Sequence, residues 1–519
     1  MKNISKKFII LSLLIFLSIF PIVNAQTVKL KFIETGDVHG SLFPYDFKSA
    51  KKINTSLAQI YTYVEEQRAK KDQAVILLDD GDVLQGQPVV YYYDYIKTNV
   101  PNICVQVMNY MKYDAGTVGN HDIEPGHVIY DKIKNGFKFP WLSANDINTK
   151  TDKPYFKPYA IIEKEGIKIA VLGMITPLIP DWLPKTLWSG MKFDDMVSTA
   201  RKWIKIIKKK EKPDLIVGLF HSGPENEMKE YRDGKRDIGN ASRLVAELVP
   251  GFDIVFAGHD HQVWNIKVKN SNGKNVLILD PANAARYAGV ADVTMKFDKK
   301  TKTWKKKISG KIIDSKNYKP DEAYMKKFTP VIEEVKKYVS KPIGYFTKTI
   351  STRTSIFGDS PFVDLINKIQ LEVTHADISF AAPLSLNAEI KKGTLHVGDM
   401  FNLYKYENLL YTMELTGKEI KGYLEYSYGN WFNQMKNKND DLLKFEHDSA
   451  GNILIKYGRP VLSFPVFNYS SAAGINYVVN VSKPAGERVT ITAMSDGKPF
   501  DMNKTYTVAI NSYRGNGGG

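Results

Sequence analysis

Five short segments place residues that bind hard or borderline metal ions at the ends of apolar runs. They are Asp37 and His39 in GDVHG, Asp82 in DDGDVLQG, Asn120 in GNHD, His221 in LFHSG, and His259 with His261 in GHDH. Singly, an Asp or His after a strand is a turn former or a cap. Five such tails in one chain call for a shared purpose. Imidazole nitrogens with carboxylate or amide oxygens suit Zn, Mn, Fe or Co better than they suit thiophilic metals. In D-x-H and H-x-H, alternate residues of an extended segment point the same way, so each pair can reach one polar pocket. One carboxylate must bridge two metals, and Asp82 stands centrally in the ligand order. Two ions about 3.5–4 Å apart would clamp a phosphoryl group and activate water against it. The stretch TVGNHDIEPG adds His121, Asp122 and Glu124, whose use depends on partners elsewhere in the chain.

The positioning elements are legible as a repeating pattern. VKLKFIETGD, AVILLDDGD, DAGTVGNHD, IAVLGMIT, DLIVGLFHSG and DIVFAGHDH read as apolar strands with polar tails. Amphipathic segments such as SLAQIYTYVEEQ and MVSTARKWIKIIKKK lie between several of them. Buried strands alternating with helices predict an α/β layered domain, in which ligands gather beyond the carboxyl ends of strands. Lys296 to Lys307, KFDKKTKTWKKK, reads as a lysine-rich turn region, and DEAYMKKFTPVIEEVKKYVSK as a connecting helix ended by Pro342 and Gly344. Beyond it FGDSPFVDLINKIQLEVTHADISF predicts a helix then a strand, LTGKEIKGYLEYSYGNWFNQ a helix, and INYVVNVSKP, ERVTITAM and YTVAINS late strands.

At 519 residues the chain exceeds one ordinary core, so two domains are expected. Apolar residues at 43% and charged residues at 25% exclude a disordered chain. The net charge of +16 is spread as lysines along the whole length, which reads as a solvated surface rather than a site for a nucleic-acid polymer. A small anionic substrate would still benefit from that field. MKNISKK, then the apolar FIILSLLIFLSIF, then PIVNA read as a secretory signal cleaved after Ala25, giving an exported, periplasmic or secreted protein without a stable membrane anchor. Cys104 is the only cysteine, which excludes an intramolecular disulfide and a thiolate metal cluster. Its context, PNICVQVM, suits a buried small side chain rather than a nucleophile.

The series D-x-H, G-D-x-x-x-G, G-N-H-D/E, H-S-G and G-H-x-H, over residues 28 to about 295, resembles the calcineurin-like metallophosphoesterases, and in order and spacing the bacterial 5′-nucleotidase family. The resemblance implies a four-layer β-sandwich flanked by helices, with a second α+β substrate-binding domain. It implies two divalent ions (Zn, Mn, Co or Fe), one held by Asp37, His39, Asp82 and His261, the other by Asp82, Asn120, His221 and His259. It gives His121 the stabilisation of transition-state charge and Glu124, where the family normally has Asp, the orienting of His121. Asp122 is left to fix the loop. The implied domains are a signal at 1–25, a catalytic domain at 26–318, a linker helix at 319–342 that can act as a hinge, and a substrate-binding domain at 343–519.

That second domain resembles the family's nucleotide-binding domain through SFAAPLSLN, GDMFNLYKYENLLYTMELTGKEIKGYLE and NSYRGNGGG. The similarity is greatest to the 2′,3′-cyclic-nucleotide 2′-phosphodiesterase/3′-nucleotidase branch, where AAP replaces the glycine-rich segment and arginine of 5′-specific members. Glu124 points the other way, since that branch tends to have Asn there. In the family two aromatic rings sandwich the base; Tyr406 and Tyr513 match them, Tyr404 and Tyr406 alternating on a strand end, and Asn408 would hydrogen-bond the base edge. The expected protein is a monomeric phosphoesterase of nucleotides, working in nucleotide catabolism. The alternatives are a 5′-nucleotidase or nucleotide-sugar hydrolase on the same site, and a secreted nucleotide-binding protein without catalysis. The chain stops at Gly519, inside a glycine-rich motif that continues in the family, which points to a fragment or a missing final loop.

Overall fold

The computed structural model describes residues 27–224, 238–404, 408–456 and 459–518. The secretory-signal reading of residues 1–25, the Tyr406 assignment and the chain end at Gly519 fall outside these residues.

Two six-stranded sheets form the first half. In chain order the strands are β1 (Thr27–Thr35), β2 (Ala74–Asp79), β3 (Ala115–Thr117), β4 (Trp141–Leu142), β5 (Tyr159–Lys164), β6 (Ile167–Ile175), β7 (Leu215–His221), β8 (Ile254–Ala257), β9 (Val263–Lys269), β10 (Asn275–Pro281), β11 (Tyr287–Asp298) and β12 (Thr303–Asp314). One sheet runs β12-β11-β1-β2-β3-β4 and the other β9-β10-β8-β7-β6-β5. β1 to β4 pair in parallel, as do β6, β7, β8 and β10. Parallel strands must be covered on both faces, and the burial agrees: β7, LIVGLFH, is buried throughout.

The inner faces meet in a core that includes Phe32, Ile76, Leu78, Val171, Leu219 and Phe256. Phe32 and Phe256 lie ring to ring at 6.1 Å across it. Each such fully buried ring contributes about 1.5–3 kcal/mol. α1 (Leu57–Arg68), α3 (Ile103–Met111) and α7 (Glu322–Val339) contribute to a cluster on one outer face, and α6 (Met196–Lys210) to a cluster on the other. The order is therefore helix, sheet, sheet, helix. Between α1 and α3 lies α2 (Pro88–Tyr91), and short helices α4 (Asn120–Ile123) and α5 (Ile179–Trp182) follow strands.

Two expectations need correcting. The stretch Lys296–Lys307 is mostly strand: β11 and β12 pair from Tyr287↔Asp314 to Asp298↔Thr303, and only the residues between them turn. Lysines on β12, an edge strand, suppress edge-to-edge pairing. The connecting helix is also no free linker. α7 buries Tyr324, Phe328 and Val335 in the first half, and the Tyr324 hydroxyl donates to the Leu42 carbonyl at 2.8 Å.

The second half begins after Ser340. β13 (Ile378–Ala381), β14 (Leu410–Thr416), β15 (Ser471–Ala473) and β18 (Thr505–Asn511) form a sheet in the order β14-β18-β13-β15, while β16 (Ile475–Val479) and β17 (Val489–Met494) make a separate pair. α8 (Pro361–Thr374), α9 (Val397–Leu403), α10 (Gly417–Trp431) and α11 (Ser512–Gly515) complete it. α10 starts with a capping box, Thr416 to Glu419, and packs Ile420, Leu424 and Trp431 into the core of this half. The halves touch where Asn402 donates to the Lys48 carbonyl at 3.3 Å and where Phe401 meets Tyr91 edge-on at 5.3 Å.

Candidate metal centre

All seven residues read as ligands converge where the two sheets end. Their chain conformation is not the expected one. β1 stops at Thr35 and β8 at Ala257. Asp37, His39, Asp82, His259 and His261 then adopt φ of 47°, 46°, 57°, 77° and 59°. The members of D-x-H and H-x-H are thus brought together by left-handed turns, not by strand alternation. Such backbone in non-glycine residues costs about 1–3 kcal/mol each and persists where the surroundings over-determine it. Glycine is required beside it: a Cβ on Gly119 would stand 2.1 Å from Asp82 Oδ1.

Backbone amides hold the carboxylates. Asp37 Oδ2 accepts from His259 N at 2.8 Å, and Asp82 Oδ1 from His121 N at 2.8 Å. Asp122, read as fixing a loop, accepts from the amides of Asp82, Val83, Leu84 and Gly119 at 2.8–3.0 Å. His221 gives its Nδ1 proton to the Asp80 carbonyl at 2.6 Å, so Nε2 faces Asn120 Oδ1 at 3.1 Å and Asp82 Oδ2 at 3.2 Å. His261 Nε2 stands 3.2 Å from Asp37 Oδ1. His39 Nε2 is 3.8 Å from Asp37 Oδ1 and 3.9 Å from Asp82 Oδ2.

These donors fit divalent cations. Asp37 Oδ1 is buried with the His261 imidazole as its neighbour, and the Nε2 atoms of His39 and His261 face each other at 3.1 Å. Asp37, His39 and His261 form one compact donor group, and Asp37, Asp82 and His221 another. Burial holds His39 down at about 4 and His259 at about 3, leaving neutral imidazoles with free lone pairs. For Asp82, burial opposes the ionised form, but His221 and His121 outweigh it and hold the carboxyl well below its usual range.

His121 Nδ1 pairs with Glu124 Oε2 at 2.6 Å. Burial opposes its charge, but the Glu124 and Asp82 carboxylates prevail and raise the imidazole to about 9. The longer side chain of Glu124 therefore does reach the ring. Cys104 is fully buried, with Sγ 3.3 Å from the Val83 carbonyl, and burial pushes its thiol up.

A cavity of about 380 Å³ lies over these groups. Asn120, His121 and His261 border it below, and Asn408, Asn511 and Tyr513 of the second half border it above. Tyr404 ends helix α9 rather than a strand. Two rings went unread in the sequence. Trp182, in α5, stacks on His259 at 5.3 Å and 22°, and Phe467 meets Tyr513 edge-on at 6.1 Å. In a chain with 25 Phe and 7 Trp, neither ring carried a local signal that separated it from packing.

Fold and site define a metallophosphoesterase: residues 30–263 match the calcineurin-like phosphoesterase model, and residues 342–519 match the 5′-nucleotidase C-terminal domain. A 2′,3′-cyclic-nucleotide 2′-phosphodiesterase/3′-nucleotidase of Salmonella typhimurium is 28% identical over 96% of this chain and 82% of its own length. A 5′-nucleotidase of Vibrio vulnificus is 27% identical over 77% of this chain and 75% of its own length. In three dimensions a putative 5′-nucleotidase from Staphylococcus aureus superimposes with a TM-score of 0.76 at 22% identity, covering 94% of this chain and 91% of its own. The chain joins a calcineurin-like phosphoesterase domain to a 5′-nucleotidase C-terminal domain and is a nucleotide phosphoesterase, a hydrolase of phosphoric esters.

Proposed function

We propose that the protein hydrolyses 2′,3′-cyclic nucleotides and 3′-nucleotides, with the phosphate at the strand-end donors and the base against Tyr513. The observation that carries this reading is the 380 Å³ cavity, which has imidazole and carboxylate donors on one wall and Tyr513 with Asn408 on the other. One stacked ring is worth about 1–3 kcal/mol to a base, and Asn408 offers both a donor and an acceptor to the base edge. Two divalent ions held by Asp37, His39, Asp82, Asn120, His221, His259 and His261 would polarise the phosphoryl group and activate water. His121, held through Nδ1 by Glu124, would donate from its other ring nitrogen to a phosphoryl oxygen as negative charge develops there. Trp182 and Leu183 add an apolar stretch to the cavity wall.

The cavity's walls also bear on phosphate number. Among the described residues lining it there is no Arg or Lys, so a substrate with one phosphate is served better than a nucleotide sugar carrying two. The relatives named 2′,3′-cyclic-nucleotide 2′-phosphodiesterase/3′-nucleotidase, which match nearly the whole chain, support the same choice. Residues 1–25 would direct export; among the described residues no helix is long and apolar enough to cross a membrane.

The test is a substrate panel on chelated protein with Zn, Mn, Co or Fe added back singly. 2′,3′-Cyclic AMP and 3′-AMP should turn over at least about tenfold faster than 5′-AMP. Preferential release of phosphate from 5′-AMP would overturn the assignment in favour of a 5′-nucleotidase.

A further inference from the structure

A second and larger cavity, about 640 Å³, lies beside the first and shares Glu124 and Asn408 with it. Its volume is in the range of small-molecule sites, which run to roughly 300–1,000 Å³. Its walls are aromatic and come from three parts of the molecule: Tyr91 and Tyr95 from the first half, Tyr338 from α7, and Phe401 and Tyr404 from the second half. Tyr91 and Tyr95 stand 4.9 Å apart at 48°. The Tyr404 hydroxyl is buried beside the Asn408 and Asn511 side chains, which also line the catalytic cavity.

The wall around Tyr95 is built on an uncommon backbone. Directly after α2, residues Tyr92–Ile96 form a π-helical turn. Such turns are rare and occur frequently at functional sites. Here the turn folds Tyr93 into the core, at 4% exposure, and presents Tyr95 at 41%. A wide-set turn that spends an aromatic ring on an open cavity wall gains little from packing. It makes sense as a surface for a ligand ring.

We propose that this chamber is a subsite for a second nucleobase. The minimal occupant is the 5′-side nucleoside of a dinucleotide whose 3′-terminal residue has its base at Tyr513 and its phosphate at the metal donors. The preferred substrates are then 3′-phosphorylated or 2′,3′-cyclic ends of short oligonucleotides, more than free mononucleotides. This rests on the 3′-ester reading above. Adjacency and wall chemistry argue for it: the two cavities meet at Glu124 and Asn408, a short step for one linked ligand, and every base presents a face that stacks on Tyr or Phe.

Calorimetry on the metal-loaded protein with two expected reaction products separates the two readings. Adenylyl-(3′→5′)-adenosine should bind at least about tenfold more tightly than adenosine, as one added stacking contact predicts. Tyr95→Ala should remove that advantage while leaving adenosine within twofold of wild type, and Tyr95→Phe should keep it. In parallel, kcat/KM for the 3′-phosphorylated dinucleotide should exceed that for 3′-AMP by a similar factor. Equal affinity for the two products, or equal weakening of both by Tyr95→Ala, overturns the subsite. An intact affinity gap without hydrolysis of either 3′-phosphate supports the subsite and sinks the 3′-ester reading.

Discussion

His121 illustrates how one residue's role follows from its partner. Its backbone amide serves Asp82 at 2.8 Å while its ring is tied to Glu124 at 2.6 Å. The ring nitrogen Nδ1 is thus taken up by Glu124, and the proposed role of the side chain is to meet charge that appears during reaction. Replacing His121 by Ala should lower kcat by about 10²–10³ with metal content, measured by mass spectrometry, unchanged. Loss of metal along with activity would instead make the ring a ligand. At this scale the sequence spoke clearly about residue types and poorly about backbone. Asp37, His39, Asp82, His259 and His261 were legible as a set because each follows an apolar run. The left-handed turns that bring them together were not, since nothing in D-x-H distinguishes an extended pair from two αL residues. Trp182 and Phe467 were missed for the same kind of reason: an aromatic letter does not say which side of a loop it faces.

Elements explain why the site stays put when its own backbone is strained. β1, β2, β7 and β8 are anchored by the core between the sheets, and their carboxyl ends carry the turns. The strands were read well because parallel pairing demands long apolar runs. The start of β12 fell within the Lys296–Lys307 turn reading because its lysines hide an apolar face, Trp304, Ile308 and Ile312, that is only partly buried. One buried element end titrates in a useful way. Asp146 opens a short strand, Asp146–Asn148, with both carboxyl oxygens buried; burial, only partly offset by the nearby Ser143 hydroxyl, pushes its carboxyl up to about 8. A carboxyl raised on folding binds more protons when folded than unfolded. Its effect therefore favours the native state less and less as pH rises from about 4 to about 8. Asp146→Asn should flatten the fall of Tm across that window, read by thermal melts in parallel buffers; an identical slope would show that the carboxyl is not the group responsible.

At the scale of the molecule, two halves enclose the site together. Both halves supply walls of this cavity, and substrate entry and product release are expected to need the halves to separate. The sequence signalled the two domains through texture, but it placed the connecting helix as a linker, whereas α7 is fastened to the first half by Tyr324 and Phe328. Any such motion would then be taken up beyond Val339. Cysteines introduced at Lys48 and Asn402, whose amide and carbonyl groups already meet at 3.3 Å, should lock the halves when oxidised. Turnover should fall to near background and return on adding reductant, since the one native thiol, Cys104, is buried. Unchanged turnover in the oxidised form would show that opening is unnecessary.

The stack of Trp182 on His259 also gives the protein an optical property. An indole lying flat on an imidazole that a metal ion would occupy is well placed to change its emission as the ion arrives, and most strongly for a paramagnetic ion such as Mn(II). Loading of the centre could then be followed by fluorescence during a titration, with no added dye and no substrate, and Trp182→Phe, whose other tryptophans still emit, supplies the unresponsive control.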